Sequence, residues 1–507
     1  MHYSKANFQR ALQRFLLGRA ATGALGLVFF VLVLRQLHRE EFGAYTAILA
    51  IQAGVAVLAT LGIEATLERF LPELRTAGNE VGASQLILLG IAVRASVLLL
   101  LVLLGLATMG WWVPLLSLQA YKEVLPLALA WLLMFGLMNT AGAIHEALLN
   151  QGTAQFTQAL YTLLKIVLFV VLSRTWPSAD GLTKVIVCES VATLAGLLVS
   201  VTRLKVGGLR SVLRPRQVWR ELPESIRARM LAFGAKNYGA QLVMLLYGPD
   251  ALRLVASSQA GLVQAARFGA VHSLYEYIQR YLPAFMLLRL IRPVFISRYT
   301  ANRDFGALNA MGAIVLKINL AVLTPLIVFL VLAGDMVLGM LSKGRYADAG
   351  WLLVAYVALL VPMSNQWVVS IIANTTEQND TQVKAAACAL PGIVVGAWLV
   401  PSYGIAALVG GAWVSYLLYN LTAVAWLRRA GYPYRPDWRA LLLCGAGGAI
   451  IAAAAVSAKA VMPPFALQDL VLGVAASSLV LAMLLVGGLF TPAERQMLTG
   501  MLKRRSA

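Results

Sequence analysis

Six lysine and arginine side chains lie within long apolar segments rather than between them: Arg94, Lys165, Lys236, Arg267, Arg280 and Lys317. A charge in the hydrocarbon core of a bilayer is costly, so such residues are generally paired or contact an ion or substrate. Arginine can bind a diphosphate through two parallel hydrogen bonds, and lysine acts as a point charge. The pattern therefore indicates an anionic ligand, or acidic partners, inside the membrane.

The segments that carry these cations are long enough to cross a bilayer. A core of about 30 Å needs about 20 apolar residues per helix. Hydrophobic residues make up 60% of the 507 residues and charged residues 13%, which excludes a soluble globular protein. We predict an all-α, polytopic membrane protein with about 14 helices, at 15–37, 43–63, 84–110, 121–149, 154–174, 181–201, 229–248, 260–288, 306–333, 350–374, 382–400, 404–427, 439–461 and 467–490.

The net charge of +20 is distributed unevenly between the two predicted sides of the membrane. Of the 42 lysines and arginines, 27 fall on one side, 9 on the other and 6 inside helices. The richer side is expected to be cytoplasmic, which places both termini there in a multi-pass protein of the cell inner membrane. The basic excess favours anionic membrane lipids as partners and not nucleic acid.

The longest hydrophilic connection divides the first twelve predicted helices into two sets of six. Glycine pairs repeat in the two halves: Gly18 and Gly23 open helix one, and Gly234 and Gly239 open helix seven. Two six-helix lobes around a central cavity follow from this parallel repeat. The predicted divisions are an N-terminal lobe, a basic cytoplasmic connection, a C-terminal lobe, and two extra helices with a basic tail, at 1–201, 202–228, 229–430 and 431–507.

Features typical of catalytic or metal centres are not found in the sequence. Cys188, Cys388 and Cys444 lie separately inside apolar helices, and the four histidines form no ligand motif. No phosphate-binding P-loop occurs. The connections on the outer side are too short for the large catalytic loop of a membrane glycan polymerase or ligase. We therefore expect a transporter and not an enzyme, with no catalytic residues, no metal and no cofactor.

Several short motifs resemble the polysaccharide-transporter (Wzx-like) flippases of the multidrug/oligosaccharidyl-lipid/polysaccharide exporter superfamily. They are Gly18-Arg19, Phe42-Gly43-Ala44-Tyr45, Leu61-Gly62, Arg69-Phe70-Leu71-Pro72-Glu73 and, near the predicted helix twelve, Tyr403-Gly404-Ile405-Ala406-Ala407. The chain departs from the family at Tyr247-Gly248-Pro249-Asp250, where the family often has an aspartate inside helix seven.

The resemblance implies export of a polyprenyl-diphosphate-linked oligosaccharide across the cytoplasmic membrane by alternating access. The cargo would be a repeat unit of O-antigen, capsule or exopolysaccharide, and glycan polymerase machinery would be a further partner. Two alternatives stay open: a flippase for a lipid-linked peptidoglycan precursor, and a drug or cation exporter of the same superfamily. A drug exporter is expected to rely on acidic or apolar cavity groups, whereas cations outnumber acids inside these helices.

Two groups of residues are candidates for the transport site. Cations for the diphosphate, and amides for the sugars, are Arg19, Arg94, Lys165, Lys236, Lys317, Asn237, Gln241 and Asn365. Each cation has an alternative role, which is an ion pair within the bundle or, for Arg19, snorkelling to the interface. His272, Glu276 and Arg280 are spaced at intervals of four and form one row on a helix, as expected of a coupling or gating element.

Overall fold

The protein is all-helical wherever its structure is described. The computed structural model describes residues 5–76, 78–148, 150–204, 224–282, 285, 299, 303–376, 378–463, 465, 467–492 and 494–495. All regular secondary structure in these ranges is helical. Within these ranges, 11 helices have the length and composition to cross a membrane. This confirms an all-α, multi-pass membrane protein. Most of the predicted basic connection, at 205–223, and of the tail, at 496–507, lies outside the described residues.

The chain forms two compact units, Met1–Ala266 and Arg267–Ala507. The helices of the first unit are α1 (Lys5–Gln36), α2 (Arg39–Leu58), α3 (Ile63–Thr76), α4 (Glu80–Ala107), α5 (Met109–Leu115), α6 (Leu125–Ala147), α7 (Gln151–Thr175), α8 (Gly181–Thr202), α9 (Glu224–Tyr247) and α10 (Pro249–Gln259). The boundary falls inside α11 (Gly261–Tyr281). The lobe limits expected from the sequence stay a prediction.

The helices of the second unit follow α11. They are α12 (Phe305–Ser342), α13 (Gly350–Ala358), α14 (Leu360–Thr375), α15 (Asn379–Trp398), α16 (Val400–Tyr403), α17 (Ile405–Arg429), α18 (Trp438–Val461) and α19 (Gln468–Val486). The less apolar helices α9, α11 and α15 occupy the positions of the predicted seventh, eighth and eleventh spans. The count of fourteen spans stays a prediction.

Polar side chains at the helix starts explain several of the boundaries. The carboxylates of Asp180, Asp304 and Asp437 each accept a hydrogen bond from a backbone N–H three residues later, at 2.7, 3.1 and 2.9 Å. Asn79 does the same for α4 at 2.8 Å. These caps satisfy N–H groups that have no partner inside the helix. The apolar runs behind them become helices because lipid offers the backbone no hydrogen bonds.

Helix α3 lies between the second and third predicted spans, in a segment for which the sequence analysis predicts no membrane helix. It is an amphipathic helix of 14 residues that is too short to span a bilayer. Leu67, Phe70, Leu71 and Leu74 are buried in a cluster with residues of α4 and α6. These four residues repeat at helical spacing, and their packing against α4 and α6 stabilises the helix in spite of the proline at residue 72.

The start of α3 lies in backbone contact with α9. Gly62 adopts a left-handed conformation with φ +74°, which glycine tolerates and other residues resist. A methyl group built on Gly62 would overlap the carbonyl oxygen of Gly234. The hydroxyl of Tyr238, on the same helix as Gly234, donates a 3.0 Å hydrogen bond to the carbonyl of Leu58. Helix α9 is therefore attached to the turn between α2 and α3.

Helix α12 is the centre of the second unit and packs against α13, α14, α18 and α19. It continues to Ser342, beyond the end at residue 333 expected from the sequence. The apolar run 336–341 extends it, and Lys343 ends it in a left-handed conformation with φ +54°. This length lets one helix contact both the central helices and the two C-terminal helices of the unit.

Candidate functional site: cations inside the membrane helices

Lys165 of the first unit lies beside the buried carboxylate of Glu189. Its Nζ is 3.2 Å from Glu189 Oε1, and only 1% of the Glu189 side chain is exposed. Tyr45 donates a 2.8 Å hydrogen bond to the same oxygen, and Tyr161 donates to the other oxygen. The Lys165 ammonium also lies 4.2 Å from the ring centroid of Phe29. Two tyrosine hydroxyls and an aromatic face thus stabilise this charged pair.

The elements around this pair explain why the sequence brings it together. Tyr161 precedes Lys165 by four residues on α7, so both side chains face the same way. Helix α8 packs against α7 and presents Glu189, while α2 and α1 contribute Tyr45 and Phe29. Of the two roles considered for Lys165, the structure shows the ion pair. A contact with substrate by the same side chain stays a prediction.

Arg94, also in the first unit, is buried against a less buried acid. Its Nη2 lies 3.5 Å from Glu64 Oε1, with 1% of the Arg94 side chain exposed and 31% of that of Glu64. The Thr140 hydroxyl lies 3.4 Å from the same oxygen. Within the described residues, the Nε and Nη1 atoms of Arg94 have no hydrogen-bond partner. The guanidinium thus has donors left over for water or an anionic group.

Lys317 of the second unit lies between two carboxylates. Its Nζ is 2.8 Å from Asp437 Oδ2 and 2.9 Å from both oxygens of Glu494. Burial opposes ionisation of Asp437, but hydrogen bonds from Lys317 and from the Ala440 N–H outweigh it, so the pKa of Asp437 falls below its ordinary 3.8. Asp437 is the cap of α18, and Glu494 follows α19. This cluster therefore joins α12 to the ends of both C-terminal helices.

Lys236 differs from these three cations because its side chain is exposed. It lies near the middle of the 24-residue α9, and no carboxylate in the described part of the chain forms an ion pair with it. Its polar neighbours are used internally: Asn237 donates to the Phe233 carbonyl at 2.9 Å, and Gln241 accepts from Thr60 at 3.2 Å. Lys236 is therefore an accessible charge on a helix whose other polar groups fix its packing.

The remaining candidates lie in different surroundings. Arg19 is half-buried on α1. The amide of Asn365 donates to Asn420 and accepts from the Tyr434 hydroxyl, both at 2.7 Å. Asn365 thus links α14 with α17 and the connection that follows it. Burial, with the charge of Asp437, raises the pKa of Tyr434 above its ordinary value of 10.

The predicted row on α11 is present. His272 Nε2 lies 3.3 Å from Glu276 Oε1, and Arg280 lies 3.9 Å from the other oxygen of that carboxylate. The second ring nitrogen of His272 is 3.2 Å from the hydroxyl of Tyr356 on α13. His272 is buried while Arg280 is exposed, so the row runs from the protein interior to its surface. Whether it acts in coupling stays a prediction.

Comparison with known families shows to which family the chain belongs. The family model described as polysaccharide biosynthesis protein matches residues 15–297, more than half of the chain. The chain belongs to the polysaccharide biosynthesis protein family. The matched region contains four of the candidate cations, which are Arg19, Arg94, Lys165 and Lys236, and the row on α11. The sequence matches no curated protein at a significant level.

Solved transporters share the fold of this family member at low sequence identity. An inward-facing multidrug resistance MATE transporter of the MOP superfamily is 15% identical, with a TM-score of 0.65 over 81% of this chain and 94% of that one. The lipid II flippase MurJ, in an inward closed conformation, is 12% identical, with a TM-score of 0.62 over 92% and 97%. The Vibrio cholerae MATE transporter VcmN is 15% identical, with a TM-score of 0.55 over 85% and 100%.

Sequence reasoning identified the cations but not most of the acids that neutralise them. Glu64 and Asp437 lie in or beside segments read as connections, and Glu494 follows the last predicted span. Glu189 lies within the predicted sixth span, at a depth similar to that of the cations. That depth was the available signal, since an acid and a base in neighbouring spans tend to pair.

Proposed function

We propose that the protein is a flippase that moves a polyprenyl-diphosphate-linked oligosaccharide across the cytoplasmic membrane by alternating access. Membership of the polysaccharide biosynthesis protein family and a fold shared with MATE and MurJ transporters support this proposal. The cargo would be a repeat unit of a surface polysaccharide that is assembled outside the cell, where polymerase machinery would receive it. The task is transport and requires no bond chemistry from the protein.

The observation that carries the proposal is the exposed ammonium of Lys236. A lysine near the middle of a helix that is predicted to cross the membrane is expected to have a partner, and the described residues supply no acid for it. A diphosphate headgroup would supply that charge. Arg19, half-buried on α1, is the second cation that we assign to the headgroup.

The cations already paired with acids can take part by exchanging partners. We propose that Arg94 releases Glu64, and Lys165 releases Glu189, when the diphosphate enters, and that the pairs form again after release. Of the two residues, Arg94 is the better suited to bind the diphosphate, because two of its donor atoms have no partner among the described residues. Lys317, held by two carboxylates, is the least suited of the predicted cations to contact substrate.

The test uses the purified protein in vesicles that contain a fluorescent polyprenyl-diphosphate oligosaccharide. Exposure of the headgroup to a membrane-impermeant reagent measures the rate of flipping. Lys236→Gln is expected to slow flipping about tenfold or more, because a charge-assisted hydrogen bond contributes about 1.5–3 kcal/mol. Lys236→Arg should retain most of the rate, and Lys122→Gln, at an exposed lysine in a connection, serves as the matched control.

The same vesicles separate the alternatives. A lipid-linked peptidoglycan precursor is the second candidate cargo, because the likeness to MurJ covers 97% of that chain. Faster flipping of that precursor than of the oligosaccharide lipid would replace the proposed cargo. Efflux of a cationic dye without flipping of either lipid would favour a drug exporter. A wild-type rate for Lys236→Gln would remove the role assigned to Lys236.

A further inference from the structure

Helices α15 and α17 cross in backbone contact, and an apolar groove lies beside the crossing. A Cβ atom added to Gly396 would lie 2.9 Å from both the Ala407 carbonyl oxygen and the Gly411 Cα. The groove has a volume of about 410 Å³ and is lined almost wholly by apolar atoms, including those of Val395 and Val414. Because small residues bring the two helices close, the larger side chains on each flank leave a cleft between them.

Two cations meet at the opposite end of the same helix pair. The Nζ of Lys384 lies 4.5 Å from the ring centroid of Trp426, and the Arg429 guanidinium carbon lies 5.2 Å from it. Both cations are exposed, and neither forms an ion pair with a carboxylate in the described ranges. Like charges gathered on one indole repel each other, and a shared anion would remove that repulsion. By the charge distribution, this end of the pair is cytoplasmic.

A continuous exposed stripe joins the two features. Lys384, Cys388, Pro391 and Val395 follow one another at helical spacing along α15, and all four are exposed. On α17, exposed apolar residues, among them Leu421, continue from the groove towards Arg429. The stripe has no charge between its cationic end and the groove. A ligand with an anionic group and a long apolar chain would match the cationic end, the apolar stripe and the groove.

The length of the stripe determines which chain fits. At 1.5 Å per residue, Pro391 and Leu399 lie about 10 and 22 Å beyond Lys384 along the helix. An acyl chain of an inner-leaflet phospholipid covers half of the core, about 15 Å, and would leave the outer part of the groove empty. A polyprenyl chain is long enough to fill it while its phosphate stays beside Lys384 and Arg429.

We propose that the exposed face of α15 and α17 binds the polyprenyl chain of the carrier lipid, with a phosphate on Lys384 and Arg429 and the chain in the groove. The proposal rests on the proposed function, since it assigns a place to the lipid tail of the same cargo. The tail is thereby held on the protein surface near the cytoplasmic side before the headgroup enters.

The experiment uses the full-length protein in vesicles with polyprenyl phosphate that carries a diazirine at the chain end. Photocrosslinks are located by mass spectrometry, and a phosphatidylglycerol with a diazirine at its acyl end is the competing probe. The polyprenyl probe should label residues 391–414. Lys384→Gln combined with Arg429→Gln should lower the labelling about tenfold, as expected for loss of charge-assisted contacts.

The blocking variant is Gly410→Leu, because Gly410 lines the groove and a Cβ atom there meets no atom within 4 Å. It should prevent labelling without disturbing the crossing. Gly445→Leu is the matched control, since Gly445 is an exposed helical glycine with equally open space on α18. If Gly445→Leu labels like the wild type and Gly410→Leu does not, the groove holds the chain.

Several outcomes would overturn the inference. One is labelling of residues 391–414 by phosphatidylglycerol as strongly as by the polyprenyl probe. Another is labelling by the polyprenyl probe at other residues of the protein. The third is unchanged labelling in Gly410→Leu or in the charge variant. Flipping measured on the same samples tests the proposed function separately. Flipping without groove labelling leaves that function standing and removes this site, whereas labelling without flipping of any oligosaccharide lipid keeps the site and removes the function.

Discussion

Lys165 in the first unit and Lys317 in the second each interrupt an apolar helix, but the acids beside them differ in exposure. Glu189, the partner of Lys165, has a side chain that is 1% exposed. The partners of Lys317 are 25% exposed at Asp437 and 16% exposed at Glu494. Water can therefore replace Lys317 in part, but not Lys165. The exposure of the acid left behind, and not the number of acids, should set the cost of losing the lysine.

The two lysines also join different parts of the fold. Lys165 connects α7 to α8 within one group of spanning helices, together with Tyr45 of α2. Lys317 connects α12 to residues at the ends of α18 and α19. Loss of the first contact should weaken a whole unit, whereas loss of the second should first release the C-terminal helices.

The largest expected effect is that of Lys165→Met. It leaves Glu189 buried without a counter-charge, at a cost on the order of 3–5 kcal/mol. We expect little protein to accumulate in the membrane and a strongly lowered melting temperature in detergent. Both quantities can be measured by quantitative blotting and thermal-shift fluorescence.

A double variant checks that the cost comes from the unpaired charge. Lys165→Met combined with Glu189→Gln removes both charges, so most of the stability should return. The glutamine keeps a carbonyl acceptor for one tyrosine hydroxyl and presents an amide N–H to the other, whose oxygen can accept from it. A double variant no more stable than Lys165→Met would show that lysine packing, and not charge, is responsible.

Lys317→Met should lower the free energy of unfolding by a smaller amount, about 1–3 kcal/mol. Asp437 and Glu494 lose their hydrogen bonds to the lysine, but water still reaches both carboxylates. Limited proteolysis should cut near residues 430–437 and 491–495 before the rest of the chain. Lys317→Arg should restore protection. The contrast between the two units fails if Lys317→Met destabilises the protein more than Lys165→Met.

The smallest effect concerns pH and Asp437. Its pKa is lowered in the folded protein, so its contribution to stability is complete above the ordinary value of 3.8 and is lost as the pH falls through the folded value. Asp437→Asn should lower the melting temperature at pH 7, and its difference from the wild type should shrink towards pH 3. A difference that stays constant over this range would show that the charge of Asp437 does not contribute to stability.

Hydropathy predicted the helices well, because each spanning segment must satisfy its own backbone in lipid. It failed at α3, where Leu67 and Phe70 face the protein and charged residues face away over a length too short to span. It also ended α12 too early, since the segment 334–342 falls between two predicted spans. Both errors arise where packing against other helices, rather than lipid, determines structure.

The site was predictable only where spacing within one helix decides the geometry. His272, Glu276 and Arg280 meet as expected because four residues make about one turn. The pairing of Arg94 with Glu64, or of Lys317 with Asp437, depends on which helices become neighbours. A single sequence holds no local signal for that choice, so the cations could be found without their acids.

The contact of Gly62 with the Gly234 carbonyl limits how this protein can diverge. Residue 62 has to adopt a left-handed backbone conformation, and there is no room for a Cβ atom at that position. No residue other than glycine meets both conditions, so substitution there requires α9 to move away from the turn after α2. In laboratory evolution towards a new cargo, we therefore expect no accepted substitution at residue 62. Gly410, which has open space around it, should accept substitutions.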